Sequence, residues 1–142
     1  MTQYPLKKEI ITTEKAPKAI GPYSVGVSSG QFVFTAGQLG LDPLSGSLVE
    51  GGIQAQTRQA FINLKNILEA AGTSLEHVIK TTVFLQDMKE FSLMNEVYAE
   101  FFSGDYPARS AIQVAALPKN GAVEIEAIAI LPCNEDTCDC QG

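Results

Sequence analysis

The sequence predicts an α+β domain in which a mixed β-sheet carries two helices on one face. Three observations lead to that class. Segments with strand alternation and segments with helical spacing follow one another in the order hairpin, helix, strand, helix, strand, strand. The chain has 142 residues, 45% hydrophobic and 18% charged, enough for one core and too few for two. Two helices can cover only one face of such a sheet, so the other face needs a partner. The simplest partner is a second copy of the chain.

Taken in order, residues 7–13 (KKEIITT) read as an edge strand, followed by a loop through Ala16, Pro17, Gly21 and Pro22. Residues 23–40 read as a hairpin turning at Ser29 and Gly30, with a long second strand over 31–39 that ends in the small residues Ala36 and Gly37. Those two leave room for a ligand, a bulge or tight packing. Asp42, Pro43, Ser45 and Gly46 make a turn-rich connection. Over 52–71, Ala60, Phe61, Leu64, Ile67, Leu68 and Ala71 recur with helical spacing, and Gly72 stops the helix. Arg58, Lys65 and Glu69 fall on its outer face, where Arg58 is expected to be solvated. Thr73 with Glu76 has capping-box spacing before His77, the only histidine, which reads as a polar turn residue. Residues 78–86 form a strand, and Asp87 with Glu90 caps a second helix over 89–103. Its Phe91, Met94, Val97, Tyr98, Phe101 and Phe102 share one broad face, and Phe91 and Asn95 stand one turn apart on one side.

The last third carries the chemistry. Lysine outnumbers arginine eight to two, so Arg109 at the entrance of the strand beginning at Ser110 points to a planar fork that grips a carboxylate through two parallel bonds; a structural ion pair is the plainer alternative. Strand periodicity after Gly121 puts Val123, Ile125, Ala127 and Ala129 on one face and Glu124, Glu126, Ile128 and Ile130 on the other. A carboxylate on a strand that is apolar on both sides needs a partner or a task. The chain reverses between Leu117 and Gly121, which sets Arg109 on the order of 20 Å from Glu124 within one chain. Both reach one small substrate only if they come from different subunits.

Composition excludes several classes. The net charge is −6, half of it from residues 132–142, leaving ten bases against thirteen acids in the body. That balance has no footprint for phosphate backbones and argues against nucleic acid as the partner. No apolar run approaches the ~20 residues needed to span a bilayer, and the start MTQYPLKKEI lacks the apolar core of a secretory signal, so the expected location is cytoplasmic. All three cysteines, Cys133, Cys138 and Cys140, lie in the acidic tail. Their odd count makes no disulfide framework, and no second Cys/His cluster completes a zinc site. The expected organisation is a single domain over 1–131 with a tail over 132–142, without metal.

The motifs AIGPYS at 19–24, TAGQ at 35–38, KTTVFLQDM at 80–88, PARS at 107–110, LPK at 117–119 and VEIE at 123–126 together resemble the reactive intermediate deaminase family, RidA/YjgF/UK114, also met as translation inhibitors and endoribonucleases. The resemblance covers residues 7–131. It implies a chorismate-mutase-like fold assembled as a homotrimer, with pockets in the clefts between subunits. It implies hydrolysis of 2-enamines and 2-imines (2-aminoacrylate/2-iminopropanoate, 2-iminobutanoate) to 2-keto acids and ammonia without a cofactor. In this role Arg109 holds the substrate carboxylate, Glu124 manages the attacking water, and Tyr23 donates from its phenol. Ala36, Gly37, Phe91, Asn95 and Ala111 shape the pocket. Ala36 stands where many members carry Ser, and Ala111 where many carry Cys, so an altered substrate range is expected. The alternatives are a non-catalytic trimer that binds small carboxylates for regulation, and a ribonuclease.

Overall fold

A computed structural model describes residues 7–132, so the cysteine tail, Cys133 to Cys140, lies outside the described residues. Seven strands make one sheet: β1 (Glu9–Ile11), β2 (Gly26–Ser29), β3 (Phe32–Thr35), β4 (Gln38–Leu39), β5 (Val78–Leu85), β6 (Ala108–Gln113) and β7 (Val123–Ile130). The order is β1-β2-β3-β7-β5-β6, with β4 pairing β7 beyond the end of β3. The only parallel pair among the described strands is β5 with β6, and the helix between them makes the crossover that a parallel pair requires. Helices α1 (Gly52–Ala70) and α2 (Phe91–Glu100) both cover one face, as the sequence predicts.

The alternation within β5 and β7 shows which face is which. Val83, Leu85, Val123, Ile125, Ala127 and Ala129 are buried under the helices with Phe61, Leu64, Leu68 and Met94. Phe61 stacks on Phe101 at 4.7 Å and meets Tyr98 edge-on at 5.3 Å, so the two helices are joined through aromatic contacts. The opposite face carries a cross-strand row of Ile10, Val27, Phe34 and Ile128, in which Ile10 and Phe34 are exposed. The sequence predicts a partner for this face because two helices cover only the other one; the exposed apolar row is a separate feature, seen in the structure, that fits a covered face.

Several local expectations change. The second hairpin strand is broken: between Phe34↔Ile128 and Gln38↔Ile125 one strand advances four residues while β7 advances three. That extra residue is a β-bulge at Thr35–Gly37, where the Thr35 hydroxyl accepts from Ala127 N (3.0 Å) in place of a ladder bond. Thr73 makes no capping box. Its hydroxyl donates to the Ile130 carbonyl (2.6 Å), and Ser74 takes the cap position of the short turn Leu75–His77. Asp87 does cap the turn before α2 by accepting from Lys89 N (2.9 Å). Arg58 is exposed, as expected, but it is paired with Glu100 of α2 at 3.1 Å, an exposed pair worth ~0.5 kcal/mol or less.

Candidate functional site

Two hollows contain the polar residues singled out in the sequence, and they open on different faces of the sheet. The first lies at the bulge. Tyr23, Ala36, Gly37 and Glu124 line it together with Lys18, Ile20, Leu41, Pro118 and Lys119, around a volume of about 490 Å³. The bulge brings the backbone of Gly37 against Glu124, close enough that a Cβ at position 37 would lie 2.5 Å from Glu124 Oε1. A larger residue there would displace the carboxylate. Of the readings left open by the sequence, the structure shows the bulge and, at Gly37, tight packing against Glu124.

Glu124 sits two residues from Glu126 on the same face. Burial raises its pKa above the ordinary carboxylate value, and repulsion from Glu126 adds to the shift. A carboxyl of this kind holds its proton more readily than a solvated one. The Tyr23 oxygen accepts from Ile20 N (3.2 Å), which fixes the ring beside the hollow and leaves the phenolic proton free to donate.

The second hollow, about 470 Å³, lies on the helix side at the sheet edge and is lined by Asn95, Tyr98, Ala99, Tyr106, Pro107 and Arg109. Arg109 Nη1 donates to Asn95 Oδ1 (2.7 Å), and its guanidinium lies 4.6 Å from the Tyr98 ring centroid and 5.3 Å from that of Phe91. Both contacts are cation–π in kind. Asn95 thus lines this hollow and Phe91 does not, but both touch Arg109, which rests on α2. None of its partners here is an acid, so among the described residues of one chain it makes no ion pair, and the remaining donors of the fork are available to an anion. Ala111 packs against the main core beside Val83 and is not among the residues lining either hollow.

The separation of Arg109 from Glu124 differs from the sequence estimate. The strands that carry them are not neighbours, because β5 runs between them: Arg109 pairs with Thr81 and Glu124 with Phe84. Three residues along and two strand spacings across give about 14 Å between Cα atoms, shorter than expected. Thr81 is buried toward Tyr98 whereas Phe84 joins Leu39, Leu41 and Leu117 on the other side, so the two residues face opposite ways. Sequence reading missed Lys119, whose Nζ donates to the Gly46 carbonyl (2.7 Å), and Asn63, which donates to the Leu39 and Leu41 carbonyls (3.2 and 3.0 Å) and holds the rim of the first hollow. The buried asparagine was legible only as one of two polar positions, with Thr57, on a mostly apolar helix face.

Among the described residues no cluster of three or more His, Cys, Asp or Glu could hold a metal, and no helix is long and apolar enough to cross a membrane.

The sequence profile of Endoribonuclease L-PSP matches residues 13–131. The chain belongs to the endoribonuclease L-PSP family. Within this family, which includes the RidA and YjgF proteins, it is 57% identical over 122 residues to a RutC family protein of Pyrococcus horikoshii, covering 86% of this chain and 97% of that one. It is 52% identical to the 2-iminobutanoate/2-iminopropanoate deaminase of Bos taurus, covering 88% of this chain and 91% of the relative. Among solved L-PSP-type structures, E. coli TdcF with bound serine superposes with a TM-score of 0.82 at 45% identity, covering 87% of this chain and 99% of that one. The mixed sheet with two helices is thus the family's architecture, and mammalian members at about half identity carry a deaminase name.

Proposed function

We propose that the protein hydrolyses 2-imino and 2-enamino acids, 2-iminopropanoate and 2-iminobutanoate among them, at sites completed between copies of the chain in a homotrimer. The observation that carries the reading is Arg109. A guanidinium cradled by a neutral amide and two rings, with no acid paired to it among the described residues, is suited to a small carboxylate. The deaminase name of the cattle relative and the serine bound to TdcF support substrates of that size. Because Glu124 and Tyr23 open on the other face, one substrate meets both halves only when a second chain brings its Arg109 to the first chain's hollow. The uncovered apolar row on the Glu124 face supports that assembly.

The chemistry follows from these groups. Arg109 anchors the substrate carboxylate and so fixes the imine carbon over Glu124. Water adds to that carbon, forming the C–O bond, and Glu124 takes its proton; the elevated pKa of this carboxyl suits a group that accepts a proton and gives it back. Returning the proton to nitrogen makes it a leaving group; the C–N bond then breaks as the C=O bond forms and the hydroxyl proton passes to Glu124, releasing ammonia and the 2-keto acid. Tyr23 stabilises the adduct by donating its phenolic hydrogen. The iminium carbon is already electrophilic, and this scheme draws on side chains alone.

The test is keto-acid release from imines produced in situ by a serine or threonine dehydratase, comparing wild type with Arg109→Ala and Glu124→Ala. Loss of acceleration in both variants supports the roles above. A wild-type protein that accelerates nothing while still binding small carboxylates through Arg109 supports the regulatory reading instead.

A further inference from the structure

In the single chain the first hollow offers about 490 Å³, more than a three- or four-carbon imino acid fills, and its walls are not uniform. Pro17, Ile20, Leu41 and Pro118 supply apolar surface, and Glu124 stands at the bulge. Two lysines, Lys18 and Lys119, complete the lining from separate loops. Neither is ion-paired among the described residues, and the shift of Glu124 arises from burial and Glu126, without a contribution from either cation. Neither ammonium is thus held by an acid among the described residues, and each keeps donors for a ligand.

Lys119 is also held in place at a cost. Lys119 and Asn120 both adopt left-handed backbone, with φ of 55° and 59°, a conformation that non-glycine residues seldom take in succession. The strained turn follows Pro118 and is closed by Asn120 N donating to the Leu117 carbonyl (3.2 Å) and by Gln86 Nε2 donating to Asn120 Oδ1 (3.1 Å). Lys119 Nζ then spans to the Gly46 carbonyl (2.7 Å), joining the loop before β7 to the turn after β4. That single bond leaves two ammonium protons for a second acceptor.

The geometry points to Lys18 and Lys119 as specificity-determining residues that favour 2-imino acids bearing a second, distal anionic group, such as the imines of aspartate and glutamate. This inference rests on the deaminase reading. With the α-carboxylate anchored by the second chain's Arg109 and the imine carbon at Glu124, a side chain longer than that of 2-iminobutanoate extends into the remaining volume, where these two lysines are the only cations that the described residues of this chain bring to the lining. A carboxylate there gains charge-assisted bonds that a methyl group cannot make.

The experiment compares kcat/KM for iminosuccinate, released by an aspartate oxidase, with kcat/KM for 2-iminobutanoate, released by a threonine dehydratase. Both are read as loss of the semicarbazide-trapped imine. Wild type, Lys18→Met, Lys119→Met and Lys119→Arg are assayed; Met keeps the aliphatic stem without the charge. The expected result is a fall of roughly tenfold in the acidic-to-neutral ratio for each Met variant, mainly through KM, with partial recovery in Lys119→Arg. An unchanged ratio in both Met variants overturns the inference, as does a wild type that turns over 2-iminobutanoate but not iminosuccinate. A wild type that accelerates neither imine refutes the deaminase reading itself, which keeps the two failures apart.

Discussion

Arg109 and Glu124 lie on opposite faces of one sheet, with β5 between the strands that carry them. A substrate of four carbons is far shorter than the ~14 Å between their Cα atoms, and no rotamer takes either side chain through a sheet. If both act on one molecule, each site draws on two chains. Mixing Arg109→Ala with Glu124→Ala under conditions of subunit exchange is then expected to restore activity, up to about a quarter of the sites in a random trimer. No recovery after exchange has been demonstrated by mass spectrometry would exclude shared sites.

Gly37 tests whether the position of Glu124 matters apart from its chemistry. In Gly37→Ala the new Cβ meets the end of a flexible side chain, so the fold can be kept while the carboxylate is displaced. The expected outcome is a loss of roughly tenfold or more in kcat/KM with Tm lowered by only a few degrees. Full activity in the alanine variant would show that the carboxylate tolerates displacement.

The raised pKa of Glu124 has a consequence for stability. A carboxyl that binds its proton more tightly folded than unfolded opposes folding once pH exceeds its ordinary value of 4.5, and the penalty disappears as pH falls below it. Glu124→Gln removes the charge while keeping the shape. It is expected to raise Tm at pH 7 by roughly 2 °C, a modest gain because the group is half exposed, and to make no difference near pH 3.5. A scan that shows the same Tm difference at both pH values would refute the shift. Activity should fall in the same variant, the trade expected where a site stores instability for function.

Local patterns in the sequence made the elements legible but not their order in the sheet. Alternation in VEIEAIA identified which face of β7 is buried, and Arg109 stood out because lysine is otherwise the preferred cation. The insertion of β5 between β6 and β7 was not legible, because a crossover through α2 decides it and the hydrophobic period of β6 is the same in either arrangement. The bulge at Thr35–Gly37 was one of several readings of two small residues, and only the register of β3 and β4 on β7 distinguishes them. Gly40 left no local trace at all. A Cβ there would lie 2.5 Å from the backbone of Gln56, so the glycine sets how closely α1 approaches the strand that forms one wall of the Glu124 hollow.

If the apolar row on the uncovered face is where copies of the chain meet, assembly and activity are linked. Phe34 is 45% exposed in the isolated chain, between Val27 and Ile128, an expensive position for a phenyl ring in water. Phe34→Asp places a charge there without touching Glu124 or the helix-side core. Light scattering is expected to show the wild type as an oligomer and the variant as a monomer, with native-like circular dichroism and keto-acid release reduced about a hundredfold or more, since an isolated chain cannot bring Arg109 to Glu124. Ile62→Asp, at a residue 39% exposed on α1, removes an apolar group of similar exposure from the helix side and is expected to leave the assembly unchanged. A monomeric Phe34→Asp protein with full activity would require both residues to serve one substrate within a single chain, which their opposite orientations do not allow; one of them would then have no part in catalysis.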